Sequence, residues 1–201
     1  MKFNIDSPVF QFLGTLADFT LLNLVFLVSC IPVVTIGPAV CALFSVVLGE
    51  VRGEHGDMVR TYMRAVKENF RSSCFLALFY FITGALLLFH FAFWLQMNTW
   101  MGNAVLVLLT FCTALYVLSL MYAFALNARF ENPIRRTLKN AVLLALSNPK
   151  QTVLLLLMAA PATVLLFYVN PFFRILLVLF GSSFLAYCQA FPLTRVFRKY
   201  E

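Results

Sequence analysis

The chain has 201 residues, 62% of them hydrophobic and only 11% charged, against about 25% charged in an average globular domain. A soluble domain of this length must clothe its core in a mostly polar shell, and 15 Lys+Arg with 8 Asp+Glu cannot supply one. An ordinary soluble enzyme, a disordered tail and a disulfide-stapled secreted domain are therefore excluded, which leaves a polytopic membrane protein with a net charge of +7.

A spanning helix needs about 20 mostly apolar residues. The amino terminus has one basic residue, Lys2, and no small-residue cleavage site before its first apolar run. That run is expected to stay as an anchor. Phe19 to Leu48 contains no charge and would make one helix of about 45 Å, too long for a ~30 Å hydrocarbon core. Pro32, Gly37 and Pro38 interrupt it, and prolines so placed break or kink a helix. Two spans are expected, about 9–31 and 38–53, joined by a Pro/Gly turn.

Residues 50–71 are dense in charge. Met58, Val59, Tyr62, Met63, Val66 and Phe70 recur at helical spacing opposite Arg60, Arg64, Lys67, Glu68 and Arg71, as in an amphipathic helix at a membrane surface. Spans at 73–97 and 104–126 follow, with Trp94 and Trp100 flanking their turn like an interfacial belt. The 129–150 segment gives a second amphipathic helix, with Arg135, Arg136 and Lys139 opposite Ile134, Leu138, Ala141 and Val142. Spans at 152–169 and 172–191 complete the chain before a basic, amphipathic tail. The expected fold is all-α: a polytopic transmembrane helical bundle of about six spans, one integral membrane domain over 1–201, with two cytoplasmic amphipathic helices.

Six crossings place every basic residue except Arg174 on one side. The positive-inside rule makes that side cytoplasmic, with both termini inside. Arg174, on the outer side, is read as snorkelling to headgroups. The basic faces Arg60, Arg64, Lys67, Arg71 and Arg135, Arg136, Lys139 are expected either on anionic lipid headgroups or on a soluble partner. Nucleic acid is not an expected partner, because no nucleic-acid motif accompanies the charge. A faint echo links Arg60-Thr61 with Ala65-Val66 to Arg136-Thr137 with Ala141-Val142.

Within the spans, charge is costly and draws attention. Asp18 is expected to face the bundle and pair with a basic residue, and Asn23 to hydrogen-bond the broken backbone near Pro32. Both are also ordinary structural glue. The Pro32–Pro38 turn is either the border of a substrate path or a hairpin at the outer surface. Gly49 and Gly53 are either a close-approach pair or a loop. The five cysteines read as packed free thiols, and His90 as a donor between helices. No nucleophile elbow, zincin motif or phosphate-binding loop occurs, so neither an enzyme nor a cofactor is expected.

The string Ile31-Pro32-Val33-Val34-Thr35-Ile36-Gly37-Pro38-Ala39, after Asp18 and Asn23-Leu24, resembles the signature of the YesL-like family of bacterial integral membrane proteins. Gly49 to Glu54 followed by Lys67-Glu68-Asn69-Phe70 is similar as well. The resemblance implies a Gram-positive cell membrane and the company of carbohydrate ABC-transport and carbohydrate-utilisation genes. It implies no molecular activity and no functional residues. Two functions follow as expectations: a non-enzymatic accessory protein, with a carbohydrate ABC transporter or a sensor protein as its partner, or a small transporter or channel working as a homodimer.

Overall fold

The computed structural model describes residues 8–54, 56–97, 99–130, 132–168 and 170–200; the side chains of 8–13, 162–163, 165–167, 171–177 and 179–180 lie outside it. Among the described residues every element is helical: α1 (Pro8–Ser29), a 3₁₀ turn (Val33–Thr35), α2 (Ile36–Val51), α3 (Met58–Leu95), α4 (Trp100–Arg129), α5 (Ile134–Ser147), α6 (Pro149–Tyr168) and α7 (Pro171–Phe197). Local chemistry sets the boundaries. Asp57 caps α3 by accepting from the Arg60 N–H at 3.0 Å, and Thr99 caps α4 by accepting from the Gly102 N–H at 3.1 Å, each satisfying an otherwise orphaned donor. Pro149 and Pro171 open α6 and α7, where a missing N–H costs nothing. Gly53, with φ +81°, supplies the left-handed residue that turns the chain after α2.

The amphipathic segment at 50–71 and the span at 73–97, expected as separate helices, form one helix. From Met58 to Ile82 there is neither Gly nor Pro, so nothing stops propagation. The change from polar to apolar is a change of composition and not of backbone. At 38 residues, α3 is about 57 Å long.

Helix α4 runs back along it. The Tyr80 hydroxyl meets Ser119 Oγ at 2.5 Å, and the Tyr116 hydroxyl donates to the Tyr80 carbonyl at 2.9 Å. Among the described residues, three helical stretches are long and apolar enough to cross a membrane: Val33–Val51, Met58–Leu95 and Trp100–Arg129. Ile134–Ser147 and Pro149–Pro161, bent by 99°, count as a fourth if taken together.

Helix α2 lies at the centre, with Ala39, Cys41, Ala42 and Val47 wholly buried. Its first turn lies against α3 so closely that a Cβ on Gly37 would stand 2.6 Å from both the Ala77 Cβ and the Ser73 carbonyl oxygen. Gly37, read in the sequence as a turn breaker, is a packing residue. This contact fixes the level of the Pro32–Pro38 turn along α3. The turn sits beside the start of the apolar part of α3, and the helix continues about 27 Å further, from Ala77 to Leu95.

Helix α5 buries Thr137, Ala141, Leu144 and Ala145 and exposes Arg135, Arg136 and Lys139; of the expected apolar face, Ile134, Leu138 and Val142 are only partly buried. Asn148 and Pro149 end it, and α6 departs at 99°. Helix α7 does not stop at 191. It passes through Pro192 to Phe197, so the start of the expected tail belongs to the helix. Proline is tolerated inside membrane helices where neighbours re-satisfy the freed backbone.

Candidate functional site

The turn between α1 and α2 is built for apolar surroundings. Ile31, Val33 and Val34 are 77%, 76% and 69% exposed, where a water-facing turn would carry Asn, Asp or Ser. Its backbone is satisfied from within. The Thr35 hydroxyl lies 2.5 Å from the Ser29 carbonyl oxygen and 2.7 Å from that of Pro32. The Thr35 N–H donates to Pro32 at 3.0 Å, and the Cys74 thiol reaches the Val34 carbonyl at 3.5 Å. Irregular backbone shielded from water requires such partners. Thr35→Val should therefore cost about 0.5–1.5 kcal/mol, the net contribution of a typical hydrogen bond at this partly exposed turn. Thermal unfolding in detergent checks this, and an unchanged midpoint would contradict the internal satisfaction of the turn.

One side of α3 carries a graded stripe. Arg64, Lys67, Arg71, Phe75 and Leu78 are all exposed, and spacings of three and four residues set them on one face. Arg60 is exposed as well. Beside the upper part of the stripe the α1–α2 turn walls off an apolar groove of about 670 Å³, lined by Val33, Val34, Ile36, Arg71, Phe75 and Leu78 among others. Sequence reasoning found the basic residues and the turn but not their meeting. The signal that joins them is the small pair Gly37 and Ala77.

Two buried amides tie the bundle together. Asn23, wholly buried, donates to the Val178 carbonyl at 2.9 Å and accepts from the Ser183 N–H at 3.0 Å, the Ser183 hydroxyl at 2.9 Å and the Ser182 hydroxyl. It joins α1 to α7, not to the backbone near Pro32 as its position in the sequence predicts. Asn127, which sequence reasoning passed over as the end of a span, donates to Ser73 Oγ at 2.9 Å, Ser72 Oγ at 3.2 Å and Cys41 Sγ at 3.3 Å. It joins α4 to α3 and α2.

Asp18 does not face the bundle. It is exposed, next to Phe19, whose ring packs on Tyr187 at 5.0 Å and shares a groove with Glu50 at the end of α2. Its carboxylate thus lies toward the polar end of the molecule, where charge is affordable.

That polar end gathers charges the sequence did not single out. Arg52, Arg129 and Arg198 line one small pocket with Thr194 and Phe197. Arg52 grips Glu54 through two hydrogen bonds of 2.8 and 2.7 Å. The guanidinium holds the Glu54 carboxyl below its ordinary range, first by hydrogen bonding and then by charge, with Arg129 adding to the effect. The pair closes the loop in which Gly53 turns, so Gly49 and Gly53 serve that loop; Gly49 makes only ordinary contacts.

Of the remaining expectations, Pro32 is exposed and Pro38 buried. The side chain of Arg174 and all of His55 lie outside the described residues. The exposed His90 bonds the Leu86 carbonyl of its own helix at 2.7 Å instead of reaching between helices. The echo has a structural counterpart: Ala65 and Ala141, at matching places in α3 and α5, are both buried.

A family model described as "Protein of unknown function, DUF624" matches residues 19–91. The matched stretch runs from Phe19 in α1 through the turn and α2 to near the end of α3, and so takes in both walls of the groove. No curated protein and no solved structure matches the chain.

Proposed function

We propose that the chain is a multi-pass cell-membrane protein that works as a non-enzymatic accessory, with both termini in the cytoplasm. In this reading α3 with α4 and α6 with α7 cross the bilayer, and the α1–α2 hairpin enters it part way. The six crossings expected from the sequence become four with a re-entrant hairpin. The two amphipathic segments, the first half of α3 and α5, lie at the cytoplasmic surface. There Arg60, Arg64, Lys67 and Arg71, with Arg135, Arg136 and Lys139, meet anionic headgroups and a partner protein. The resemblance to the YesL-like family names the partner class, a carbohydrate ABC transporter or a sensor protein.

The observation that carries the accessory role is the filled interior. Leu22, Val47, Tyr62, Leu76, Tyr122, Leu155 and Leu193, drawn from six helices, are buried to within about a percent. A transporter needs polar groups around a path near the middle of the membrane, whereas these side chains make a packed core. The 99° turn from α5 into α6 supports α5 lying along the surface while α6 enters the bilayer.

Crosslinking in native membranes followed by purification is the test. Recovery of a permease subunit or a sensor kinase in stoichiometric yield is the expected result. Flux of a sugar or an ion through liposomes holding this protein alone would overturn the reading in favour of a transporter.

A further inference from the structure

We propose that the groove between the α1–α2 turn and the graded stripe of α3 is a binding site for one anionic phospholipid. Its phosphate sits on Arg71 and one acyl chain lies along Phe75 and Leu78. This rests on the membrane reading of α3, and not on the accessory role.

The argument is one of matching order. A phospholipid is charged at one end and apolar beyond it. The exposed face of α3 has the same sequence of properties: Arg64, Lys67 and Arg71, then Phe75 and Leu78. From Arg71 to Phe81, the far end of the groove, is about 15 Å along the helix, a useful fraction of one leaflet of a ~30 Å core.

The opposite wall is the exposed apolar edge Val33, Val34 and Ile36. The Val34 carbonyl is engaged by the Cys74 thiol and the Val33 carbonyl by the Ile36 N–H, so this edge presents mainly hydrocarbon to an occupant. At about 670 Å³ the groove falls within the range of small-molecule sites. Among the described residues no carboxylate lines it; Glu68, one turn below Arg71, stays outside. The only formal charge on its rim is therefore positive, which favours an anionic headgroup over a zwitterionic one. A second copy of the chain would have to bring an acidic residue to Arg71, and none of the exposed apolar face of α3 and α4 beyond Leu78 carries one.

The test uses the full chain in nanodiscs of equal parts palmitoyl-oleoyl phosphatidylglycerol and phosphatidylcholine, followed by gentle release and native mass spectrometry. Successful insertion into the discs tests the membrane reading separately from lipid choice. The wild type should keep one phosphatidylglycerol per chain with about a fivefold preference over phosphatidylcholine, the discrimination given by one basic residue near the surface. Arg71→Gln should lose the preference while retaining a lipid, and Arg71→Lys should keep it. Leu78→Trp should expel both lipids, and the same change at Leu88, further along α3 and outside the groove, should expel neither. Equal retention of the two lipids by the inserted wild type would overturn the proposal. So would an unchanged preference in Arg71→Gln, or a mass spectrum of lipid-free dimers that Leu78→Trp converts to monomers.

Discussion

Gly37→Ala should lower the thermal midpoint of the protein in detergent, and Gly37→Val should lower it further or abolish folding. The reason is spatial and not conformational. The added methyl would lie 2.6 Å from the Ala77 Cβ and 2.6 Å from the Ser73 carbonyl oxygen. One of those atoms belongs to the backbone of α3, so relief requires a helix to move. Overpacking of this kind costs about 1–3 kcal/mol, or about 2–12 °C for a chain of this size. Gly14→Ala is the matched control. It lies in α1 with nothing within 4 Å of the new methyl, so it should hold or raise the midpoint, since alanine is favoured over glycine in a helix by about 1 kcal/mol. Equal behaviour of the two variants would show that α2 does not approach α3 as closely as described.

Asn23→Ala is expected to be the costliest polar substitution, at about 2–3 kcal/mol. Interhelical hydrogen bonds within membranes contribute only ~0.6 kcal/mol on average, and at most ~1.7. Asn23, however, serves a carbonyl, an amide and two hydroxyls of α7 at once, and its loss leaves buried groups unpaired. A double-mutant cycle with Ser183→Ala should show strong non-additivity, because both act on one node. Asp18→Asn, five residues away and exposed, should change stability by no more than about 0.5 kcal/mol. Additive effects in the cycle, or a larger effect at Asp18 than at Asn23, would contradict the placement of α1 against α7.

Much of the secondary structure is legible in the chain, because Pro and Gly punctuate it. The breaks at Pro32–Pro38, at Asn148-Pro149 and at Asn170-Pro171 all mark helix ends, and the basic faces at Arg60–Arg71 and Arg135–Lys139 are exposed as their spacing predicts. What composition hides is depth. Hydropathy changes near Ser73, but the helix runs on from Met58 to Leu95, so a change of composition is not a change of element. The level of the α1–α2 turn depends on one tertiary contact, Gly37 against Ala77, which no local pattern announces. Asn23 and Asn127 are visible as polar residues in apolar runs. Their partners lie 155 and 86 positions away, and only the packing of α7 and α2 reveals them. Asp18 differs for the complementary reason: its distance along α1 suggests burial, while its neighbour Phe19 shares a groove with Glu50 near the end of α2.

The unbroken course of α3 makes it a lever through the headgroup boundary. From Met58 to Ile82 it has no residue at which to bend, and at Gly84 the gap left by the missing side chain is filled by the hydroxyl of Tyr116 on α4. A tilt of about 5° applied at the Arg60–Arg71 end would carry the Trp94 end of a ~57 Å rod sideways by about 5 Å. If α3 crosses the bilayer as proposed, a tilt at its basic end on one face would displace its aromatic tip on the other.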